Sequence, residues 1–197
     1  QVVHGIHILL TALEYSQNDS GTPVATISCS FNNPVSVGEQ VIFTQFVEAD
    51  NQYSIEARVN GLLCSAITLT TGPQDAPKPV VASLTNATPC YDDVFLGAES
   101  HPLDEPPEFH VGKRHALQLN DSDFSSLFPG SLRYLGKQGF AATAALSYVV
   151  GMVCPGLHSV FSSLNLDLHS VTPTDNCLHF SVRKYDPRFH LFDISFS

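Results

Sequence analysis

The sequence predicts an α+β protein built from two tandem copies of one unit, a helix followed by an antiparallel meander. Three observations carry this prediction. Apolar Val3, Ile6, Leu9, Leu10 and Leu13 recur at the three- and four-residue spacing of a buried helix face. Alternating segments follow from Ala25 to Thr70, with Asn60-Gly61 placed as a two-residue hairpin turn. The same order returns after Val111, and one internal duplication accounts for it more simply than two unrelated domains.

Taken in order, the first helix is predicted over Val2 to Tyr15, and the run Ser16-Gln17-Asn18-Asp19-Ser20-Gly21-Thr22-Pro23 ends it with turn residues. Ala25 to Phe31 reads as a strand with Ile27, Cys29 and Phe31 on one face. Asn32-Asn33-Pro34 breaks it. Strands over Glu39 to Glu48, Tyr53 to Val59 and Leu62 to Thr70 complete the meander. Residues 72–110 hold seven prolines and little periodicity, which marks an extended linker in which Pro79 to Leu84 and Val94 to Leu96 are short enough to pair at a sheet edge. In the second unit, His115 to Leu119 alternates, and Asn120-Asp121-Ser122-Asp123 offers a cap before a short helical stretch at Phe124 to Leu127. A long helix is predicted over Leu132 to Val153, stopped by Cys154-Pro155-Gly156. Strands over Ser159 to Leu168, Cys177 to Lys184 and Phe189 to Phe196 follow. The boundaries are therefore residues 1–71 for the first repeat, 72–110 for the linker and 111–197 for the second.

Composition limits the function classes. Of 197 residues 43% are hydrophobic and 14% charged, enough for a core and too apolar for a disordered chain. A formal charge of −10 with nine Lys and Arg disfavours nucleic acid, whose phosphates need a cationic surface. Seven of those nine cations lie from Lys113 onward, either as a local basic patch for an anionic ligand or as scattered solvated charge. Cys29, Cys64, Cys90, Cys154 and Cys177 follow no metal-binding spacing, so reduced thiols in a cytoplasmic protein are expected. No run reaches the ~18 apolar residues of a membrane span, and no secretory leader opens the chain.

Two segments bear a family likeness. Val2-Val3-His4-Gly5-Ile6 resembles the Ile-Val-His-Gly-Met opening of the central helix in the MaoC-like (R)-specific enoyl-thioester hydratase and 3-hydroxyacyl-thioester dehydratase family. Ser30-Phe31-Asn32-Asn33-Pro34-Val35-Ser36-Val37-Gly38-Glu39 resembles that family's Ser-Phe-x-x-Pro-Val-x-x-Gly-Asp strand. In the second half, Val150 to Val160 is similar to the helix exit and following strand of the same family, which puts Gln138-Gly139-Phe140 where His-Gly-Met would stand. The resemblance implies a double hot-dog fold, an antiparallel sheet wrapped around a central helix in each repeat, with the second repeat degenerate.

The implied chemistry is addition or removal of water across the α,β bond of an acyl thioester of coenzyme A or acyl carrier protein. Charge gathers on the thioester oxygen as the α-proton leaves, and a backbone N–H at a helix N-terminus stabilises it. By resemblance that donor is Gly5, flanked by His4, and glycine there would let substrate approach the backbone. The family's acid/base pair, an Asp followed after four residues by a His, is expected upstream of Gln1. The nearest internal spacing is Glu105 before His110, read as coincidence. Lys113, Arg114, Arg133, Lys137 and Gly139 are the expected substrate-binding residues. His4 and His7 share a helix face without a third ligand, so no metal is expected, and no cofactor either. Leu127-Phe128-Pro129-Gly130 resembles the His-Phe-Pro-Gly of bacterial 3-hydroxyacyl-carrier-protein dehydratases, but Leu127 stands in the His position and a turn with a helix start explains it better. No Gly-x-Ser-x-Gly elbow supports a serine hydrolase. The expectation is thus a lyase, possessing a homodimeric form by family analogy; a non-catalytic thioester-binding module and a hot-dog thioesterase are the alternatives.

Overall fold

A computed structural model of the chain describes residues 2–16, 22, 24–72, 94–96, 107–119, 126–155, 159–168 and 177–196. The elements, in order, are β1 (Val2–Val3), α1 (Gly5–Tyr15), β2 (Val24–Phe31), β3 (Val35–Ser36), β4 (Ile42–Ala49), β5 (Gln52–Val59), β6 (Leu62–Thr71), β7 (Val94–Leu96), a 3-10 turn (Pro107–His110), β8 (Arg114–Gln118), α2 (Pro129–Tyr148), a π-helical turn (Val149–Val153), β9 (Ser163–Asp167), β10 (Cys177–Asp186) and β11 (Leu191–Phe196). The order α1, β2, β4, β5 is matched by α2, β9, β10, β11, as the duplication requires.

In the first half the strands run β4-β5-β6-β2, all antiparallel. Alternation sends Ile27 and Cys29 of β2, Ile55 of β5, and Ile67 and Leu69 of β6 to one face, where they meet Ile6, Leu9, Leu10 and Leu13 of α1. The turn at Asn60-Gly61 has φ of 51° and 82°, the paired positive angles of the favoured hairpin turn, and glycine takes the second without steric cost. Val2 and Val3 are extended and not helical: β1 pairs with β3, so the helix begins at Gly5. Asn32 and Asn33 hold the turn after β2 by donating their N–H groups to Cys64 O, with Asn33 Nδ2 donating to Leu63 O at 2.8 Å.

In the second half β11-β10-β8-β7 form a four-stranded sheet whose Leu117, Leu178, Phe180 and Val182 join Leu135, Phe140 and Leu146 of α2 in the core. Residues 94–96 of the expected linker supply β7, which pairs in parallel with β8. The other proposed edge segment, Pro79 to Leu84, and the first half of the helical stretch at Phe124 to Leu127 lie outside the described residues. The long helix is not continuous. Gly136 has φ 67° and ψ 170°, a region that only glycine enters readily, and the chain there turns from one helical segment, 129–135, into another, 137–148.

Two contacts make the halves one body. β9 pairs antiparallel with β2, the two corresponding strands, so that Cys29 faces Leu164 and Ile27 faces Leu166 and the first sheet gains a fifth strand from the second half. The start of α2 also docks on the end of α1. Glu14 Oε2 accepts the N–H groups of Gly130 at 2.7 Å and Ser131 at 3.0 Å, while Ser131 Oγ donates to Leu10 O and the Tyr134 hydroxyl to Ser16 O. A carboxylate is poorly placed at the C-terminal end of its own helix, but here it meets the positive end of α2, whose first N–H groups lack intrahelical acceptors.

Two stability outcomes follow from these features. Glu14→Ala strips the N–H groups of Gly130 and Ser131 of their shared acceptor, and hydrogen bonds to charged groups are worth roughly 1.5–3 kcal/mol, so urea unfolding should report a loss of that order. Gly136→Ala meets no neighbour within 4 Å, and its cost of about 1–3 kcal/mol comes from backbone strain alone; an unchanged denaturation midpoint would contradict the φ assigned to Gly136.

Candidate functional site

The N-terminus of α1 is where the two halves bring polar and aromatic groups together. His4 is the N-cap residue, extended at φ −68° and ψ 140°, and its carbonyl accepts the N–H groups of His7 and Ile8. Its imidazole is packed by the second half. Phe161, just ahead of β9, lies edge-on to it with ring centroids 5.4 Å apart, and a methyl placed on Gly151 in the π-helical turn would stand 3.9 Å from Nε2. Both ring nitrogens of His4 are buried without a hydrogen-bond partner among the described residues. An imidazole left in that state is costly, and such groups call for a functional explanation. Burial disfavours the charged form, holding the His4 pKa below the ordinary 6.5, so the ring is neutral near pH 7.

Gly5 is the first helical residue, with an N–H that has no acceptor inside the helix. The open side of its Cα is filled. A methyl on Gly5 would meet Phe31 at 2.8 Å from Cε1 and 2.9 Å from Cδ1, so the missing side chain makes room for the Phe31 ring. Phe31 in turn touches Phe161, centroids 5.9 Å apart. Neither Phe was singled out from the sequence as a site residue, although Phe31 belongs to the Ser-Phe-x-x-Pro-Val segment. The signal for Phe161 was weaker: it falls one residue past the second likeness, and only the pairing of β2 with β9 brings it to His4.

The other expected site residues are elsewhere. Lys113 and Arg114 stand at the start of β8, and Arg133 and Lys137 flank the break at Gly136. Arg133 is exposed and lies over the Tyr134 ring, 5.1 Å from its centroid. Gly139 is buried beside Leu135 and Leu168, three positions after the Gly136 break and not at a helix cap as His-Gly-Met would be. His7 and Phe128 pack edge to face, centroids 5.5 Å apart, and no group of three metal-ligating side chains occurs among the described residues. His110 is buried with its ring 5.3 Å from that of His115, which stacks on Phe180; Glu105 lies outside the described residues. Burial pushes the thiols of Cys29 and Cys154 up to about 12, which leaves them inert as nucleophiles.

A helix gripped by an antiparallel sheet, repeated, with the corresponding strands of the two repeats paired, is the double hot-dog arrangement. No protein-family model matches the chain and no curated protein matches it. Solved structures are similar to it. A tesB protein of Mycobacterium avium subspecies paratuberculosis is 12% identical with a TM-score of 0.47, over 99% of this chain and 85% of that one. A protein of Novosphingobium aromaticivorans assigned as a thioesterase is 17% identical with a TM-score of 0.38, over 92% and 70%. One of Thermobifida fusca assigned as a thioesterase II is 12% identical with a TM-score of 0.30, over 92% and 71%. The expected hydratase/dehydratase is corrected at this point. The activity that these names carry is that of a thioesterase, a hydrolase and not a lyase.

The burial of His4 sets a pH dependence. Its folded pKa lies below the unfolded value, so the unfolded chain binds the extra proton as pH falls through about 6.5 and the folded state loses stability there; above that pH the penalty is absent. Stability measured from pH 7.5 to 5 should fall less steeply in His4→Asn than in the natural chain, and equal slopes would mean that His4 is solvated.

Proposed function

We propose that this chain is a hot-dog thioesterase, hydrolysing an acyl thioester at the N-terminus of α1. The observation that supports this most is the neutral, unpartnered imidazole of His4 beside the first-turn N–H of Gly5. The thioester carbonyl oxygen accepts from Gly5 N–H, where the helix dipole also favours developing negative charge. His4 takes a proton from water, the resulting hydroxide adds to the carbonyl carbon, and the tetrahedral oxyanion collapses with cleavage of the C–S bond. The thiolate leaves with the proton that His4 held, so water and thioester become carboxylic acid and thiol. Lys113, Arg114, Arg133 and Lys137 are the proposed contacts for the phosphates of a coenzyme A or carrier-protein arm. Protonated buried thiols suit a reducing, cytoplasmic setting. No helix among the described residues is long and apolar enough to cross a membrane.

A second reading, an acyl-thioester-binding module without turnover, draws on the Phe31 ring that covers Gly5. Thiol release from a series of acyl-CoA esters separates the two. Hydrolysis should appear with no loss of enoyl absorbance from crotonyl-CoA beyond that of cleavage, and His4→Gln should lower kcat/KM by roughly 10²–10⁴-fold. The rate should decline on the acid side only below pH 6.5, because His4 must be neutral to act. Binding without thiol release would favour the module, and neither binding nor release at any chain length would refute both.

A further inference from the structure

We infer that Phe31 and Phe161, one ring from each half, are the acyl-selecting wall of the His4–Gly5 site and restrict it to short acyl groups. The inference rests on the reading of that site as the thioester site and specifies which thioesters it takes. Phe31 lies against the Cα of Gly5, and Phe161 lies edge-on to His4; the two rings touch each other at 5.9 Å between centroids. Together they cover the imidazole and the helix end by which a thioester would be held. Each ring is half-buried and packs against the main core.

Their backbones have little freedom. Phe31 ends β2 and its N–H donates to Ser162 O at 2.9 Å, next to the paired residues Ser30 and Ser163, so both rings hang from the same antiparallel pair. What can yield is side-chain rotation, and Phe has only two torsions. A carbonyl set on the Gly5 N–H directs its acyl chain into the space these rings fill. A short chain needs a small rotation; each further methylene must displace ring from ring against close packing. Removing a ring should therefore admit longer chains, and in an apolar pocket one methylene is worth about tenfold or more in kcat/KM.

The experiment uses the whole chain and coenzyme A thioesters from acetyl to palmitoyl, read as thiol release and, in parallel, as calorimetric binding. The natural protein should favour butyryl-CoA or shorter. Phe31→Ala and Phe161→Ala should each raise the decanoyl-to-butyryl ratio at least about tenfold, and Phe31→Leu and Phe161→Leu by less. Thermal melts establish that each variant is folded, and the Leu variants decide the matter if the Ala variants are not. A natural preference for long chains, or ratios unchanged within about twofold in the folded variants, overturns the wall while leaving the thioester site in place. If the natural protein neither binds nor cleaves any thioester, the site and the wall fall together.

Discussion

The antiparallel pairing of β2 with β9 is the constraint on which the rest of this structure depends. It joins the same strand of two repeats, so the halves share a sheet and a continuous apolar core instead of meeting at a separable surface. Because side chains alternate across strands, that register sets Ile27 against Leu166 and Cys29 against Leu164 on the inner face. A slip of one residue would turn every one of these outward. The same pairing carries Phe31 and the segment before β9 to one end of the sheet, which is how the second half comes to touch His4.

The helix junction answers the sheet junction from the other side. α1 offers its C-terminal carbonyls and the Glu14 carboxylate; α2 offers unfilled N–H groups, the Ser131 hydroxyl and the Tyr134 phenol. Anions are favoured at a helix N-terminus, and here the protein supplies its own, leaving the start of α2 occupied. The N-terminus of α1 has no side-chain cap of this kind. Of the two helix N-termini, one is closed by a carboxylate and the other is covered by aromatic rings around an imidazole.

Glycine at position 5 answers to a packing demand that the family resemblance does not contain. Resemblance marked it as a place where substrate approaches the backbone, whereas the structure fills that approach with Phe31. Both demands are met only if the ring moves, and a helix end that is masked until displaced is a stricter filter than an open one. Burial acts on His4 in the same direction, since it removes the water that would otherwise hold the ring protonated at mildly acid pH.

Most elements could be read from local signals. Helix spacing in 6–13, alternation in 25–31, and Asn60-Gly61 each follow from chemistry within a few residues, and the repeat of their order announced the duplication. The departures came where a distant partner decides. Val2 and Val3 are extended because β3 pairs with them, and Gly136 breaks α2 although its neighbours favour a helix; Val94 to Leu96 pairs at a sheet edge as its short alternation in the proline-rich stretch suggested. His4 and Gly5 could be proposed from the sequence because they are adjacent in the chain and share one short motif. Phe31, Gly151 and Phe161 were not, because nothing local distinguishes a core aromatic or a helical glycine from one that faces a site. The sequence by itself determined the helix-and-meander unit and its duplication, which depend on short-range periodicity. Only the tertiary structure decided that the halves form one sheet, that Glu14 caps the opposite helix and that two phenylalanines close over His4 and Gly5, since those contacts join residues more than twenty positions apart.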